Sequence, residues 1–221
     1  NEDFFKIKDI IETYGVVVLK SQIINDDDQI LFSKKFGELE KALEQDTLEG
    51  IKPEITRISN IGINNEILPI DSKKVIYDRG NRSWHTDSSY KDIPSKISIL
   101  SAREIPFYGG GTEYIDARHA LETWNKNSRK YDIKELKNEI CEHSIVYSRM
   151  INTGDIFDND YKNKMPFVKQ RLIRTHPITK RSAFYAGSHC SHIIGWDLEE
   201  SRSLIKEINE WIVEAGPIVH H

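Results

Sequence analysis

Apolar and polar positions divide this chain into a helical opening, a β-rich middle interrupted by helices, and a closing amphipathic helix. In Asp3–Ile11 the apolar residues recur at helical spacing, and Gly15 predicts a stop ahead of a β-branched strand, Val16–Leu19. The triplet Asp26-Asp27-Asp28 predicts the N-cap and first turn of a second helix, which runs to Phe36 and stops at Gly37. Capping accounts for that acidic triplet better than metal binding does. From Glu54 onward the pattern changes to short alternating runs, Ile55–Ile61 and Lys96–Ala102, each reading as a strand. Helical spacing returns in Asp116–Glu122 and Asp132–Ile140, and strand signals resume at Cys141–Tyr147 and Ser182–Tyr185. Residues 150–168 carry little periodicity and predict a surface loop of the kind that serves as a lid or binding loop. The last helix has Asp197 as N-cap, Glu200 as its capping-box partner, and Leu204, Ile205, Ile208, Trp211 and Ile212 on its buried face. No repeat and no Gly/Ser- or Pro-rich linker divides the chain. Short strands around a helical insertion predict a mainly β domain with helical insertions, a barrel or jelly roll.

Composition narrows the classes of function. The 221 residues are 38% hydrophobic and 30% charged, with a net charge of −4, so nothing global favours nucleic acid or an anionic membrane. The strongly apolar runs, such as Gly15–Leu19, are far short of the ~20 residues a membrane span needs. No basic stretch followed by an apolar one opens the chain, so no secretory signal is expected. Two cysteines, Cys141 and Cys190, make no disulfide framework and read as reduced thiols of a cytoplasmic protein.

The chemistry centres on Trp84-His85-Thr86-Asp87. In an extended segment residues i and i+2 point to one side, so His85 and Asp87 would offer an imidazole and a carboxylate to one metal ion. That is two-thirds of the 2-His-1-carboxylate triad that leaves open positions on non-haem Fe(II). The pair alone is weak, because a chain with 8 His and 16 Asp produces His-x-Asp by chance, and a hydrogen-bonded surface pair is the plainer reading. Context reverses this. Trp84–Tyr90, Ile93–Lys96, Leu100–Arg103 and Gly109–Tyr114 stand in an order that continues through Cys141–Ser144, Tyr147–Arg149, Arg174–Pro177, Tyr185 and Ser188-His189 to the closing helix. This pattern resembles the taurine/2,4-dichlorophenoxyacetate dioxygenase family, nearest its 2,4-dichlorophenoxyacetate branch.

The resemblance implies a double-stranded β-helix (jelly roll, cupin-like) that uses Fe(II) with 2-oxoglutarate and O2 as cosubstrates. Residues 1–221 would form a single TauD/TfdA-like domain. His85 and Asp87 match the first two iron ligands, and Thr112 matches the hydroxyl that binds the distal carboxylate of 2-oxoglutarate. Glycines 109–111 suit a tight turn near a ligand, although an ordinary flexible turn would use them too. The implied reaction decarboxylates 2-oxoglutarate to succinate and hydroxylates a small anionic substrate, an aryloxyalkanoate or a sulfonate, whose product then falls apart. His189 is the candidate for a substrate-facing donor. His143 and His119 read as structural, one on a strand and one on a helix. Arg174 and Arg181 could attract a carboxylate, although an exposed Arg is the default, and Trp84 reads as core beside the site.

The family pattern breaks after Ile212. The family's C-terminal strands, second iron-binding His and clamping Arg have no matched position here, and His220 or His221 could replace them only by accident of geometry. The chain is therefore expected to lack the C-terminal strands and to be the larger part of a longer enzyme. A natural truncation and a fragment completed by a partner are the alternatives. The rival function is a non-catalytic relic that binds a ligand without iron. Neither nucleic acid nor membrane is an expected partner, and a homo-oligomer is left open.

Overall fold

The computed structural model describes residues 2–42, 52–124 and 129–221. Helix α1 (Glu2–Tyr14) ends at Gly15, whose φ of +81° is the left-handed conformation that glycine adopts without a Cβ penalty. Val16–Leu19 follows in extended form but pairs with no strand among the described residues. Helix α2 (Asp26–Ser33) is capped by Asn25 rather than by the acidic triplet. The Asn25 side chain accepts from Asp28 N at 2.9 Å, and Asp28 accepts from Asn25 N at 3.1 Å, a complete capping box. The three aspartates fill the first turn, where the helix dipole favours negative charge. Phe4 of α1 meets Phe36 edge-on at 4.9 Å and Phe32 at 6.5 Å, which joins the two helices.

The rest of the chain runs α3 (Lys73–Arg79), β1 (Glu113–Ile115), α4 (Ala117–Thr123), α5 (Ile133–Leu136), β2 (Ile140–His143), α6 (Ile145–Thr153), α7 (Asn159–Lys164), β3 (Val168–Arg171), β4 (Ile173–Thr175), β5 (Ser182–Phe184), β6 (Cys190–Ile193), α8 (Leu198–Ala215) and β7 (Ile218–His220). The described strands form three antiparallel sheets: β3-β2-β6, β4-β5 and β1-β7. Helices hold more of the described chain than strands do, against the expectation of a mainly β chain. The reason is that alternation specifies a face, not a partner. Ile55–Ile61 and Lys96–Ala102 alternate as strands do, yet the isolated bridge Ile61–Ile67 is the only pairing described for either. The expected strand Cys141–Tyr147 also divides. Its first half is the central strand β2, and Ser144 then caps α6 by accepting from Tyr147 N at 3.2 Å. The segment 150–168, expected as loop, contains the end of α6 and all of α7, whose cap Asp158 accepts from Tyr161 N at 2.8 Å.

Helix α8 supplies the largest apolar face. Leu204, Ile205, Ile208 and Trp211 pack against Ala120 and Leu121 of α4, Trp124, Phe184 of β5 and Ile193 of β6. Trp211 also donates its indole N–H to the Ala120 carbonyl at 2.9 Å, so its polar atom is satisfied within the core. The guanidinium of Arg129 lies over both Trp124 (5.1 Å) and Trp211 (4.6 Å), covering the edge of this cluster. Asp197 caps α8 by accepting from Glu199 N and Glu200 N. Glu200 is no capping-box partner: its carboxylate turns to Lys130 and to the Tyr131 hydroxyl. Among the described residues no helix is long and apolar enough to cross a membrane.

Ile208 is fully buried at the centre of this cluster. Ile208→Ala should therefore cost about 2–5 kcal/mol of unfolding free energy in urea titration. A cost well below that range would place the main core elsewhere.

Candidate metal centre

Helix α3 runs into one tight turn, Gly80–Arg82, and the chain then extends through Ser83–Thr86. Extension sends His85 and Asp87 to the same side. Their Nε2 and Oδ1 atoms lie 3.1 Å apart. His85 Nδ1 is 2.7 Å from the Ser83 carbonyl, to which it donates, so Nε2 is the nitrogen that would offer a metal its lone pair once the proton shared with Asp87 has left. The Asp87 side chain remains 57% exposed, open to an incoming ligand. The hydrogen bond from His85 outweighs burial and holds the Asp87 carboxyl below the usual range, with the Ser98 hydroxyl assisting. The same bond raises His85 against its own burial. A cation in this position would displace the shared proton.

The segment is held from two directions. Gly187, at φ +107°, approaches so closely that a Cβ there would lie 3.0 Å from the His85 Cα and 3.3 Å from the Trp84 carbonyl oxygen. Ser188 N donates to that carbonyl at 2.9 Å, and Gly187 N donates to Asn209 of α8 at 2.8 Å. From the other side α6 presents three polar residues. Ser148 bonds Ser188 at 2.9 Å, Arg149 donates to Asn81 at 2.7 Å, and Asn152 accepts from the Ser83 hydroxyl at 2.7 Å. Arg149 is buried over the Tyr77 ring, in space that Gly80 leaves by having no Cβ.

Two further histidines lie beside the pair. His189 is buried, with its ring 5.5 Å from His85 and 4.9 Å from Tyr90. Its Nδ1 faces the Thr86 carbonyl at 3.2 Å and the Ser89 hydroxyl at 3.1 Å, and its buried Nε2 has no partner among the described residues. Burial, with the charges of His85 and Arg149, pulls its pKa down to about 3, so the ring is neutral. His143 of β2 is fully buried and stacks on Tyr185 at 5.7 Å, with both ring nitrogens unpartnered among the described residues. Burial, then Arg174, pulls it down to about 4. Arg174 lies 4.4 Å over the same Tyr185 ring.

Thr112 heads β1, with its backbone N–H and carbonyl paired to His221 at 2.7 and 2.9 Å. It shares a strand face with Tyr114, whose phenol is raised by burial and by the charge of Asp87. Gly109 and Gly110 take φ of +75° and +79°, the tight turn expected ahead of Thr112. The other histidines stand apart. His176 accepts from Thr179 N in the β4–β5 turn, His192 faces Glu142, and His119 lies on α4. Arg181 pairs with Glu122. His220 pairs with Glu113 at 2.8 Å and is 70% exposed. Among the described residues no third His, Cys, Asp or Glu joins His85 and Asp87. The arrangement of Tyr114, Tyr185, Arg149 and Arg174 around the pair was not visible in the chain's pattern. Only the order of the motifs, which contains all four residues, pointed toward them.

Over residues 1–220 the chain matches the model of the family described as taurine catabolism dioxygenase TauD, TfdA family. The chain belongs to the TauD/TfdA family. This TauD/TfdA protein is 30% identical over 218 residues to the alpha-ketoglutarate-dependent 2,4-dichlorophenoxyacetate dioxygenase of Burkholderia sp. strain RASC, covering 97% of this chain and 72% of the relative. It is 29% identical to the enzyme of the same name from Cupriavidus pinatubonensis, covering 98% and 75%. The solved structure of AAD-2 in complex with Mn(II) and N-oxalylglycine superposes with a TM-score of 0.87 at 30% identity, over all of this chain and 76% of that one.

The buried neutral histidines make acid stability a direct test. His143 titrates at about 4 in the fold, against ~6.5 for an unfolded histidine, so the unfolded state takes up protons first as pH falls. Its contribution is complete above about pH 6.5 and is lost progressively toward pH 4. In urea titrations across that window His143→Phe should show a shallower loss of stability than the parent. An unchanged slope would mean that His143 is solvated or already charged.

Proposed function

We propose that His85 and Asp87 are the first two protein ligands of an Fe(II) centre, and that the substrate is a small anionic compound, an aryloxyalkanoate or a sulfonate. Family membership makes the protein a 2-oxoglutarate-dependent dioxygenase by class. The observation that carries the metal assignment is the 3.1 Å convergence of Nε2 and Oδ1 with Nδ1 pinned to the Ser83 carbonyl. An imidazole nitrogen and a carboxylate oxygen are the donor types that non-haem iron takes. With iron, 2-oxoglutarate and O2 supply the oxidising chemistry, giving succinate, CO2 and a hydroxylated substrate.

The chain's own residues then bind and orient. Ser83 fixes the His85 tautomer, and Ser98 and His85 keep Asp87 ionised. Thr112 donates its hydroxyl to the distal carboxylate of 2-oxoglutarate. His189 faces an anionic substrate group through its unpartnered Nε2, which donates there in the tautomer that gives up the Nδ1 bond to the Thr86 carbonyl and accepts from Ser89 instead. Tyr185, Tyr114 and the buried histidines keep the pocket short of water. The three antiparallel sheets are read as parts of the family's double-stranded β-helix. The unbridged, buried Cys141 and Cys190 suit a reducing cytoplasm. One observation favours the second reading, a non-catalytic ligand-binding relic: among the described residues the pair has no third ligand.

Succinate release from 2-oxoglutarate, with Fe(II) and a panel of aryloxyacetates and sulfonates, separates the two. The full-length protein should release succinate and His85→Ala should not. Thr112→Val should lose about 1.5–3 kcal/mol of a hydrogen bond to a charged group, read as a higher KM for 2-oxoglutarate with kcat retained. Undiminished turnover by His85→Ala would remove the iron assignment.

A further inference from the structure

Asp87 is followed by a residue in an unusual conformation. Ser88 has φ +56°, in the left-handed region that a non-glycine residue occupies only when its surroundings impose it. Ser88 is buried, and its hydroxyl donates to Glu40 at 3.0 Å across 48 residues of sequence. Two more donors from the same loop reach that carboxylate: Lys91 Nζ at 2.5 Å, and the Ser95 hydroxyl on the second oxygen. Lys91 also donates to the Lys41 carbonyl at 3.2 Å, and its own carbonyl accepts from Gln170 of β3 at 2.8 Å. The turn itself is closed by Lys91 N donating to the Ser88 carbonyl at 2.9 Å.

An ordinary surface ion pair would be worth little and would bridge two long side chains. Here both oxygens of one carboxylate are engaged by donors of the turn that carries Asp87, and one donor is the strained residue itself. Burial pushes the Glu40 carboxyl up, but Lys91, Ser95 and Ser88 together hold it below its usual value, so it is an anion in this position.

We infer that Glu40 is a positioning residue for the metal motif, locking the left-handed turn at Ser88 that aims Asp87 beside His85. This rests on the assignment of His85 and Asp87 as metal ligands. A glycine at position 88 would take the same φ without constraint, which separates positioning from general stabilisation.

The test measures Mn(II) affinity of the full-length protein by electron paramagnetic resonance, alongside circular dichroism and the unfolding temperature. Asp87→Ala should lose Mn(II) binding. Glu40→Ala should weaken it about 10–100-fold, the usual cost of removing an outer partner of a metal ligand, while keeping the folded spectrum. Adding Ser88→Gly to Glu40→Ala should restore most of the affinity. Wild-type affinity in Glu40→Ala, or a deficit that Ser88→Gly leaves in place, would overturn the role of Glu40 and leave the metal assignment standing. Equal Mn(II) binding by the wild type and Asp87→Ala would overturn both. If Glu40→Ala does not fold, Glu40→Gln and Ser95→Ala carry the same comparison.

Discussion

The site depends on the approach of Gly187 to the backbone of His85. A Cβ there would crowd the His85 Cα at 3.0 Å and would be strained at φ +107°. The approach lets Ser188 bond the Trp84 carbonyl and lets Asn209 hold Gly187 from α8, the helix that brings Leu204, Ile205, Ile208 and Trp211 to the apolar core. The Trp84–Asp87 segment is irregular and has no ladder of its own. It inherits rigidity from a helix more than a hundred residues later, and α6 secures its other side through Ser148, Arg149 and Asn152.

This coupling also sets the electrostatics. His143 and His189 are both buried beside the segment or behind it, and burial keeps both rings neutral. Fixed charge is left to Asp87, Arg149 and Arg174. The one other carboxylate tied to the motif, Glu40, is spent on Lys91 and two serines.

Much of this was legible in the chain. The helices at both ends, the Gly15 stop, the Asp197 cap and the buried face of α8 follow from local periodicity and capping chemistry, which neighbours in sequence decide. The convergence of His85 and Asp87 follows from the period of an extended chain. Partnership across long separations was not legible. Ser144 could continue a strand or cap a helix, and only the fold decides for the cap. Asn25 displaced the aspartates because a capping box needs its partner three residues on, and Asp28 stands there. Alternation in Ile55–Ile61 and Lys96–Ala102 shows which residues share a face but not whether a strand lies alongside. Glu40 and Arg149 act on the site through contacts that no local pattern encodes.

The central claim is that one metal ion sits between His85 Nε2 and the Asp87 carboxylate. The most direct measurement is a crystal structure of the full-length protein grown with Mn(II) and N-oxalylglycine, with the metal located by its anomalous scattering. The account predicts one metal peak about 2.0–2.2 Å from both side chains, distances typical of imidazole and carboxylate ligands, with Nδ1 of His85 still on the Ser83 carbonyl. A metal bound elsewhere, or one that engages His85 while Asp87 turns away, would contradict it.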